Sequence, residues 1–169
     1  MTQRKTLVAG IGNIFNGDDG FGSEVARRLI AGPAADGVRI EDYGIRGVHL
    51  AYELLEGYDL LVLIDAMSHG EAPGTLFVFE PDVDGDDVAP LDSHQMDPRA
   101  VLRMVAELGG HIGRVLVVGC EPADVGEGIG LSPVVAAAVD EAARVVTELT
   151  TKPDLMAGTP DLMAGMKES

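Results

Sequence analysis

Three acidic side chains lie where apolar segments of the sequence end. Asp18 and Asp19 follow the run Thr6–Ile11 after a glycine-rich turn, and Asp65 comes near the end of the run Tyr58–Ala66. A carboxylate at the end of a buried segment is costly unless it is paired, hydrogen-bonded or bound to a metal. Adjacent carboxylates attract a cation, although either one can instead cap a helix. These residues therefore indicate a cation site, with Asp18 as consistent with a structural role as with a chemical one.

The glycines before these carboxylates resemble a nucleotide-binding turn, but the pattern is incomplete. The dinucleotide fingerprint requires a third glycine where Phe15 stands, and a phosphate loop requires a lysine followed by Ser or Thr, which is absent. Two carboxylates at a helix start would also repel a phosphate that otherwise binds there. We therefore expect no nucleotide at this turn.

Four histidines could supply a nitrogen donor to a cation site. His94 lies in the acidic, weakly periodic segment 80–97, which we interpret as a long loop, and long loops in compact domains are often functional. His69 is its competitor because it follows the third acidic position by only four residues. His49 and His111 are interpreted as surface residues. Since a lone loop histidine is usually solvated, the residue types alone leave the choice between His94 and His69 open.

Alternating strand-like and helix-like segments must position these side chains. Short continuous apolar runs are typical of buried parallel strands, and apolar residues at helical spacing follow them. Asp97-Pro98 and Ser132-Pro133 have the cap-then-proline order of helix starts. The predicted strands are 6–11, 38–43, 58–66, 75–79 and 115–119. The predicted helical stripes are Phe21, Val25 and Leu29; Val48, Ala51, Leu54 and Leu55; Val101, Leu102, Val105 and Leu108; and, in one final helix, Val135, Ala138, Val139, Ala142, Val146 and Leu149.

This alternation predicts an α/β fold with three layers, α/β/α. We expect a mostly parallel, twisted sheet of about five strands with helices on both faces. Ligands of such sheets bind outside the carboxyl ends of the strands. Asp18, Asp19 and Asp65 should therefore lie along one rim.

Length and composition predict one domain and exclude several kinds of partner. A chain of 169 residues fits a single domain, 1–150, followed by a Pro- and Met-rich tail, 151–169, in which Pro-Asp-Leu-Met-Ala-Gly occurs twice. We expect the tail to be an appendage without ordered structure. The net charge of −16 repels phosphate backbones, so nucleic acid is not an expected partner, whereas cations and basic protein segments are.

Cysteine content and hydropathy indicate the compartment. The single Cys120 excludes an internal disulfide and a cysteine-based zinc cage, and its place in an apolar run indicates a buried thiol. No apolar run approaches the roughly 20 residues of a membrane span. The first apolar run is interrupted by glycines and aspartates and is better explained as a strand than as a signal peptide. We therefore expect a cytoplasmic protein that does not associate with membranes.

Several separated motifs together resemble those of the hydrogenase maturation proteases. The resemblance begins at Gly10-x-Gly12-Asn13 and Asp18-Asp19-Gly20-x-Gly22. It continues through Asp65-Ala66, Pro73-Gly74-Thr75, Ser93-His94-Gln95 and Gly130-Leu131-Ser132-Pro133, and so covers the chain from about residue 7 to 149. The resemblance implies an endopeptidase that removes the C-terminal extension of a nickel–iron hydrogenase large-subunit precursor after nickel has been inserted.

The resemblance also implies a metal-ligand set. The family binds metal with an acid after the first strand, an Asp after the third and a loop histidine, which correspond here to Asp19, Asp65 and His94. Relatives often carry Glu at the first of these positions. Two carboxylates and an imidazole suit a divalent first-row metal with open coordination positions. The implied metal is nickel carried by the substrate, with other divalent metals able to occupy the site in vitro.

Two features of the resemblance leave roles open. Asp18 would orient a ligand or act as a general base. The family's Asp-Gly-Gly-Thr-x-Gly segment, which resembles the part implicated in substrate discrimination, is here Asp42-Tyr43-Gly44-Ile45-Arg46-Gly47. Ile45 replaces its threonine and Arg46 is added, so the particular hydrogenase is not predicted.

Three other functions are alternatives to this one. The first is a non-catalytic metal-sensing or chaperone module that inspects the large subunit without cutting it. The second is a metal-independent hydrolase with Asp18 and Asp19 as a carboxylate pair, which is disfavoured because adjacent residues on a turn rarely face each other. The third is a nucleotide-binding α/β domain, which is disfavoured because it would need a phosphate-accepting turn that this sequence lacks.

Overall fold

A five-stranded sheet forms the centre of the computed structural model, which describes residues 4–33, 35–81 and 97–152. The strand order is β2-β1-β3-β5-β4, and β4 runs antiparallel to β5 while the other neighbours are parallel. The strands are β1 Thr6–Ile11, β2 Val38–Gly44, β3 Tyr58–Ala66, β4 Leu76–Phe79 and β5 Ile112–Cys120. The helices are α1 Phe21–Ile30, α2 Gly47–Leu54, α3 Pro98–Glu107, α4 Pro133–Ala136 and α5 Val139–Thr151, with a 3-10 helix at Gly17–Gly20.

Two apolar cores lie on opposite faces of the sheet. Val62 and Ile64 of β3 pack with α1 and α5, whereas Leu61 and Leu63 pack with α2 and α3. Because successive side chains of a strand point to opposite faces, a central strand covered on both sides must be apolar throughout. The predicted three-layer α/β/α fold, with a mostly parallel sheet of five strands, is confirmed.

The helix predictions need three corrections. Val48 is 44% exposed and Leu108 is 49% exposed, because α2 buries Leu50 instead and α3 ends before Leu108. The predicted final helix is divided between α4 and α5, with Ala137 and Ala138 in a turn. Among the described residues, no helix is long and apolar enough to cross a membrane.

Two sequence predictions lie outside the described residues. The acidic segment that carries His94 is described only at its ends, since 82–96 are not among the described residues. The repeated part of the tail, from 153 onward, is also outside them. The α5 helix extends to Thr151, one residue past the predicted domain boundary.

Candidate active site

The carboxyl ends of β1 and β3 meet at one rim of the sheet. These strands are parallel neighbours, and Gly10 pairs with Ile64. Helix α1 begins directly above both strand ends, because a Cβ built on Gly22 would lie 2.1 Å from the Ile64 carbonyl oxygen and 2.3 Å from that of Ile11. Only glycine allows this close approach. The sequence between β1 and α1 is thereby held against the end of β3.

Asp19 lies in the 3-10 helix, where its carboxylate turns back toward the end of β1. Its Oδ2 accepts a hydrogen bond from the Asn13 backbone N–H at 2.9 Å. The turn requires glycine at position 12, where φ is +127° and a Cβ would lie 2.0 Å from the Asp19 carbonyl oxygen. Burial raises the pKa of the Asp19 carboxyl, and the Asn13 hydrogen bond opposes that shift. The backbone therefore positions the Asp19 carboxylate, but this hydrogen bond does not fully offset the cost of burying its negative charge.

Asp65 is the buried acid of the site, with 7% of its surface exposed at the end of β3. Burial raises the pKa of its carboxyl well above the ordinary value, and the negative charge of Asp19 raises it further. The Ala66 N–H opposes the shift, whereas Asp97 adds to it. The negative charge of Asp19 therefore acts on the Asp65 carboxyl at the rim. A cation between or beside them would favour the ionised form of both.

Asp18 has a different environment from its neighbour. It is fully buried, and its Oδ2 accepts hydrogen bonds from the Ala123 N–H at 2.8 Å, the Asp124 N–H at 2.9 Å and the Ser132 hydroxyl at 2.8 Å. Its Oδ1 accepts from the Ser132 N–H at 2.7 Å. Burial opposes ionisation, but these bonds hold the pKa of Asp18 below its ordinary value. The geometry therefore favours the structural interpretation of Asp18 over the general-base one. Neither Asp18 nor Asp19 caps α1 with its side chain, since the cap position is Gly20.

His69 borders the same rim but does not complete a metal site in the described part of the chain. Its ring stacks on Phe77 with 4.2 Å between centroids, and its backbone N–H donates to Glu121 at 2.6 Å. It lines a cleft of about 520 Å³ together with Asp65 and Asp97. Within residues 4–33, 35–81 and 97–152, no three His, Cys, Asp or Glu side chains are close enough to hold a metal ion. The predicted third ligand, His94, lies outside those ranges.

A second cavity, of about 260 Å³, opens beside the Asp19 turn. Phe15 lines it from one side and Ile45 and Arg46 line it from the other. The segment after β2 is held by Asp42, whose Oδ1 accepts hydrogen bonds from the Ser23 hydroxyl at 2.6 Å and the Gly44 N–H at 3.1 Å. This network places residues 42–46 next to the candidate site.

Sequence reasoning missed two residues that build the rim. Ser132 holds Asp18, and no local pattern indicated that contact across the chain. Glu121 is buried and accepts hydrogen bonds from the backbone N–H groups of His69 and Glu71, so it shapes the wall of the cleft beside Asp65. A signal for Glu121 was present, since it is a carboxylate at the end of an apolar strand, as Asp65 is. The predicted surface positions of His49 and His111 and the buried position of Cys120 are confirmed.

Comparison with known proteins connects this chain to one family. A family model described as HycI, hydrogenase maturation protease, matches residues 24–149. The hydrogenase expression/formation protein HoxM of Azotobacter vinelandii is 31% identical over 172 aligned residues, covering 95% of this chain and 79% of that protein. A putative hydrogenase maturation protease of Methanocaldococcus jannaschii is 29% identical and covers 86% of this chain and 96% of its own length.

Solved structures give the same result. The hydrogenase maturating endopeptidase HybD from E. coli is 25% identical, with a TM-score of 0.71 over 87% of this chain and 93% of that one. A hydrogenase 2 maturation peptidase from Thaumarchaeota archaeon SCGC_AB-539-E09 is 29% identical, with a TM-score of 0.68 over 88% of this chain and 99% of that one.

Proposed function

Since the chain belongs to the hydrogenase maturation protease family, we propose that it is the endopeptidase that removes the C-terminal extension of a nickel–iron hydrogenase large-subunit precursor after nickel insertion. In this proposal Asp19, Asp65 and His94 bind one metal. The observation that carries it is that β1 and β3 end side by side at one rim, where the negative charge of Asp19 raises the pKa of the buried Asp65 carboxyl.

The donor chemistry of the described residues fits a divalent cation. Burial raises the pKa of both Asp19 and Asp65, so each carboxylate lacks a compensating positive charge. A third donor would have to come from outside the described ranges, which is where His94 lies. When bound, the metal would polarise the scissile carbonyl or lower the pKa of a water molecule. The chain's own residues would hold the metal ligands in position. The Asn13 N–H fixes the Asp19 carboxylate, and Asp18 holds the surrounding loops.

Nickel enters this proposal as part of the substrate. The protease would complete the coordination of nickel already seated in the precursor, so that an unloaded precursor would not be cut. Other divalent metals would bind to the same three side chains in vitro. The net charge of −16 supports a protein partner with basic segments and disfavours nucleic acid. The cytoplasmic location stays a prediction from the sequence.

Mass spectrometry of the precursor tests the proposal. Purified chain is incubated with nickel-loaded and with nickel-free precursor, and the mass of the large subunit is followed. We expect the loaded precursor alone to lose its C-terminal extension. Binding of the loaded precursor without loss of mass would instead support a metal-sensing or chaperone role. Equal cleavage of both precursors would contradict the recognition of nickel.

A further inference from the structure

Two loops beside the candidate site are joined into one unit. The Gly17 N–H donates to the Gly128 carbonyl at 2.9 Å, and the Gly128 N–H donates to the Phe15 carbonyl at 2.8 Å. The Asp18 backbone N–H adds a bond of 2.9 Å to the Asp124 carbonyl. The Asp18 carboxylate then holds the second loop at both of its ends, through Ala123 and Asp124 at one end and Ser132 at the other. The surface of these loops is therefore formed before any partner binds.

Three large apolar side chains of this unit are exposed. Phe15 is 61% exposed, Val125 is 52% exposed and Ile129 is 80% exposed. We call these three residues the apolar rim. Single exposed apolar residues are common on monomers, whereas contiguous apolar patches mark interaction surfaces. The hydrogen bond from the Gly128 N–H to the Phe15 carbonyl places Phe15 beside the residue that precedes Ile129. Because the loops are preorganised, binding there would cost little ordering entropy.

The apolar rim is continuous with the candidate site. Asn13 links them: its N–H donates to Asp19 Oδ2, and its side-chain Oδ1 accepts from the Phe15 N–H at 2.9 Å. Asn13 thus connects the Phe15 backbone to Asp19, a proposed metal ligand, through these two hydrogen bonds. A folded protein that brings a peptide bond to Asp19 and Asp65 would therefore lie close to these loops.

The charge around the rim indicates what would cover it. Asp124 and Glu127 are exposed in the loop that carries Val125 and Ile129, and the whole chain has a net charge of −16. The matching partner surface is an apolar patch bordered by Lys or Arg.

We propose that the apolar rim is the docking surface for the folded body of the protein substrate, separate from the groups that bind the metal. The proposal rests on the proposed function, since the occupant is the same precursor. Docking through this rim would hold the precursor while the cleavage point enters the site. It would contribute to affinity and not to the chemical step.

Steady-state cleavage and direct binding test the proposal together. Phe15→Ser and Ile129→Ser are compared with Leu108→Ser, which removes another exposed apolar side chain, at the C-terminal end of α3. We expect each rim variant to raise KM at least about 10-fold with kcat within about 2-fold, and the double variant to raise it further. The dissociation constant for nickel-loaded precursor, measured with immobilised variants, should rise in parallel. Leu108→Ser should leave both unchanged, and the unfolding midpoints of all variants should match the wild type.

The outcomes separate this proposal from the proposed function. Weaker binding by the rim variants, with no cleavage by any protein, would retain the docking surface and reject the peptidase. Normal cleavage with unchanged KM in the double variant would reject the docking surface. Sedimentation velocity of the wild type gives a further check. A dimer that the double variant loses, with KM unaltered, would identify a second copy of the chain as the occupant and overturn the proposal.

Discussion

Asp18 accepts hydrogen bonds from both the backbone N–H and the hydroxyl of Ser132, which is 114 residues later in the chain. The two oxygens of one buried carboxylate thus join the loop after β1 to the start of α4. Asp19, one residue further, has its carboxylate directed instead to the rim shared with Asp65. Of these two adjacent aspartates, Asp18 therefore holds the loops around the candidate site, and Asp19 contributes its carboxylate to the site itself.

Replacing Asp18 tests this division. Asp18→Asn replaces one of the two accepting oxygens by an NH₂ group, which cannot accept a hydrogen bond. Buried N–H groups that donate to that oxygen in the wild type therefore lose their acceptor. We expect the free energy of unfolding to fall by about 2–3 kcal/mol. Urea denaturation measures the change, with the exposed Asp36→Asn as the matched control. A loss no larger than that of the control would show that the Asp18 bonds do not stabilise the fold.

The close contact of α1 with the strand ends gives a second prediction. Gly22→Ala would place a methyl group against the backbone carbonyls of Ile64 and Ile11, neither of which can move aside alone. We expect a loss of about 3 kcal/mol. Gly32→Ala is the control, because its nearest atom, the Leu29 carbonyl oxygen, would lie at 3.5 Å. Equal unfolding midpoints for the two variants would contradict the proposed packing.

The burial of Asp65 predicts a stability that depends on pH in the metal-free protein. Its folded pKa lies above the unfolded value of 3.8, so ionisation destabilises the fold as the pH rises from 3.8 through the folded pKa. In the presence of a chelator, Asp65→Asn should therefore raise the free energy of unfolding by about 1 kcal/mol near pH 8. The gain should shrink as the pH falls toward 3.8.

Urea unfolding at about pH 5 and pH 8 measures this difference, with Asp36→Asn as the control for removal of an exposed charge. A variant less stable than the wild type at the higher pH would show that the Asp65 carboxylate is compensated within the protein.

Cys120 should be inert in the folded protein. Burial, together with the negative charges of Asp18 and Glu121, raises the pKa of its thiol to about 12. Iodoacetamide reacts with the thiolate, and an ordinary thiol, with a pKa of about 8.5, is partly ionised at about pH 8. The buried Cys120 should therefore stay unmodified in the native chain at that pH. The same reagent should modify it fully in guanidinium chloride. Rapid alkylation of the native chain, with loss of cleavage, would support a cysteine nucleophile instead.

Local sequence signals predicted most of the fold. The centre of β3, residues 60–64, is entirely apolar because both faces of the strand are covered. Asp97 accepts a hydrogen bond from the Arg99 N–H, as a helix cap should. The stripe of α2 was harder to place, because Val48 and Leu50 both fit helical spacing. Packing on the sheet buries Leu50 and leaves Val48 outside. Tertiary contacts, which local spacing does not contain, make that choice.

The candidate site was predictable where its residues are energetically unusual. A carboxylate at the end of an apolar strand identified Asp65, and the resemblance to a family supplied His94, which residue types alone did not favour over His69. The bond between Asp18 and Ser132 could not be predicted, because the loops that it joins have no complementary local pattern. Their long-range contact arises only when the sheet places β1 and β5 on either side of β3.

Cleavage rates of single-ligand variants test the central claim most directly. Nickel-loaded precursor is incubated with the wild type and with Asp19→Asn, Asp65→Asn, His94→Ala, His69→Ala and His49→Ala, and the released extension is quantified by mass spectrometry. If Asp19, Asp65 and His94 share one metal, each of their variants should lose about 100-fold or more in rate, whereas the exposed His49→Ala should match the wild type. A His94→Ala variant that cuts at the wild-type rate, with His69→Ala inactive, would contradict the account.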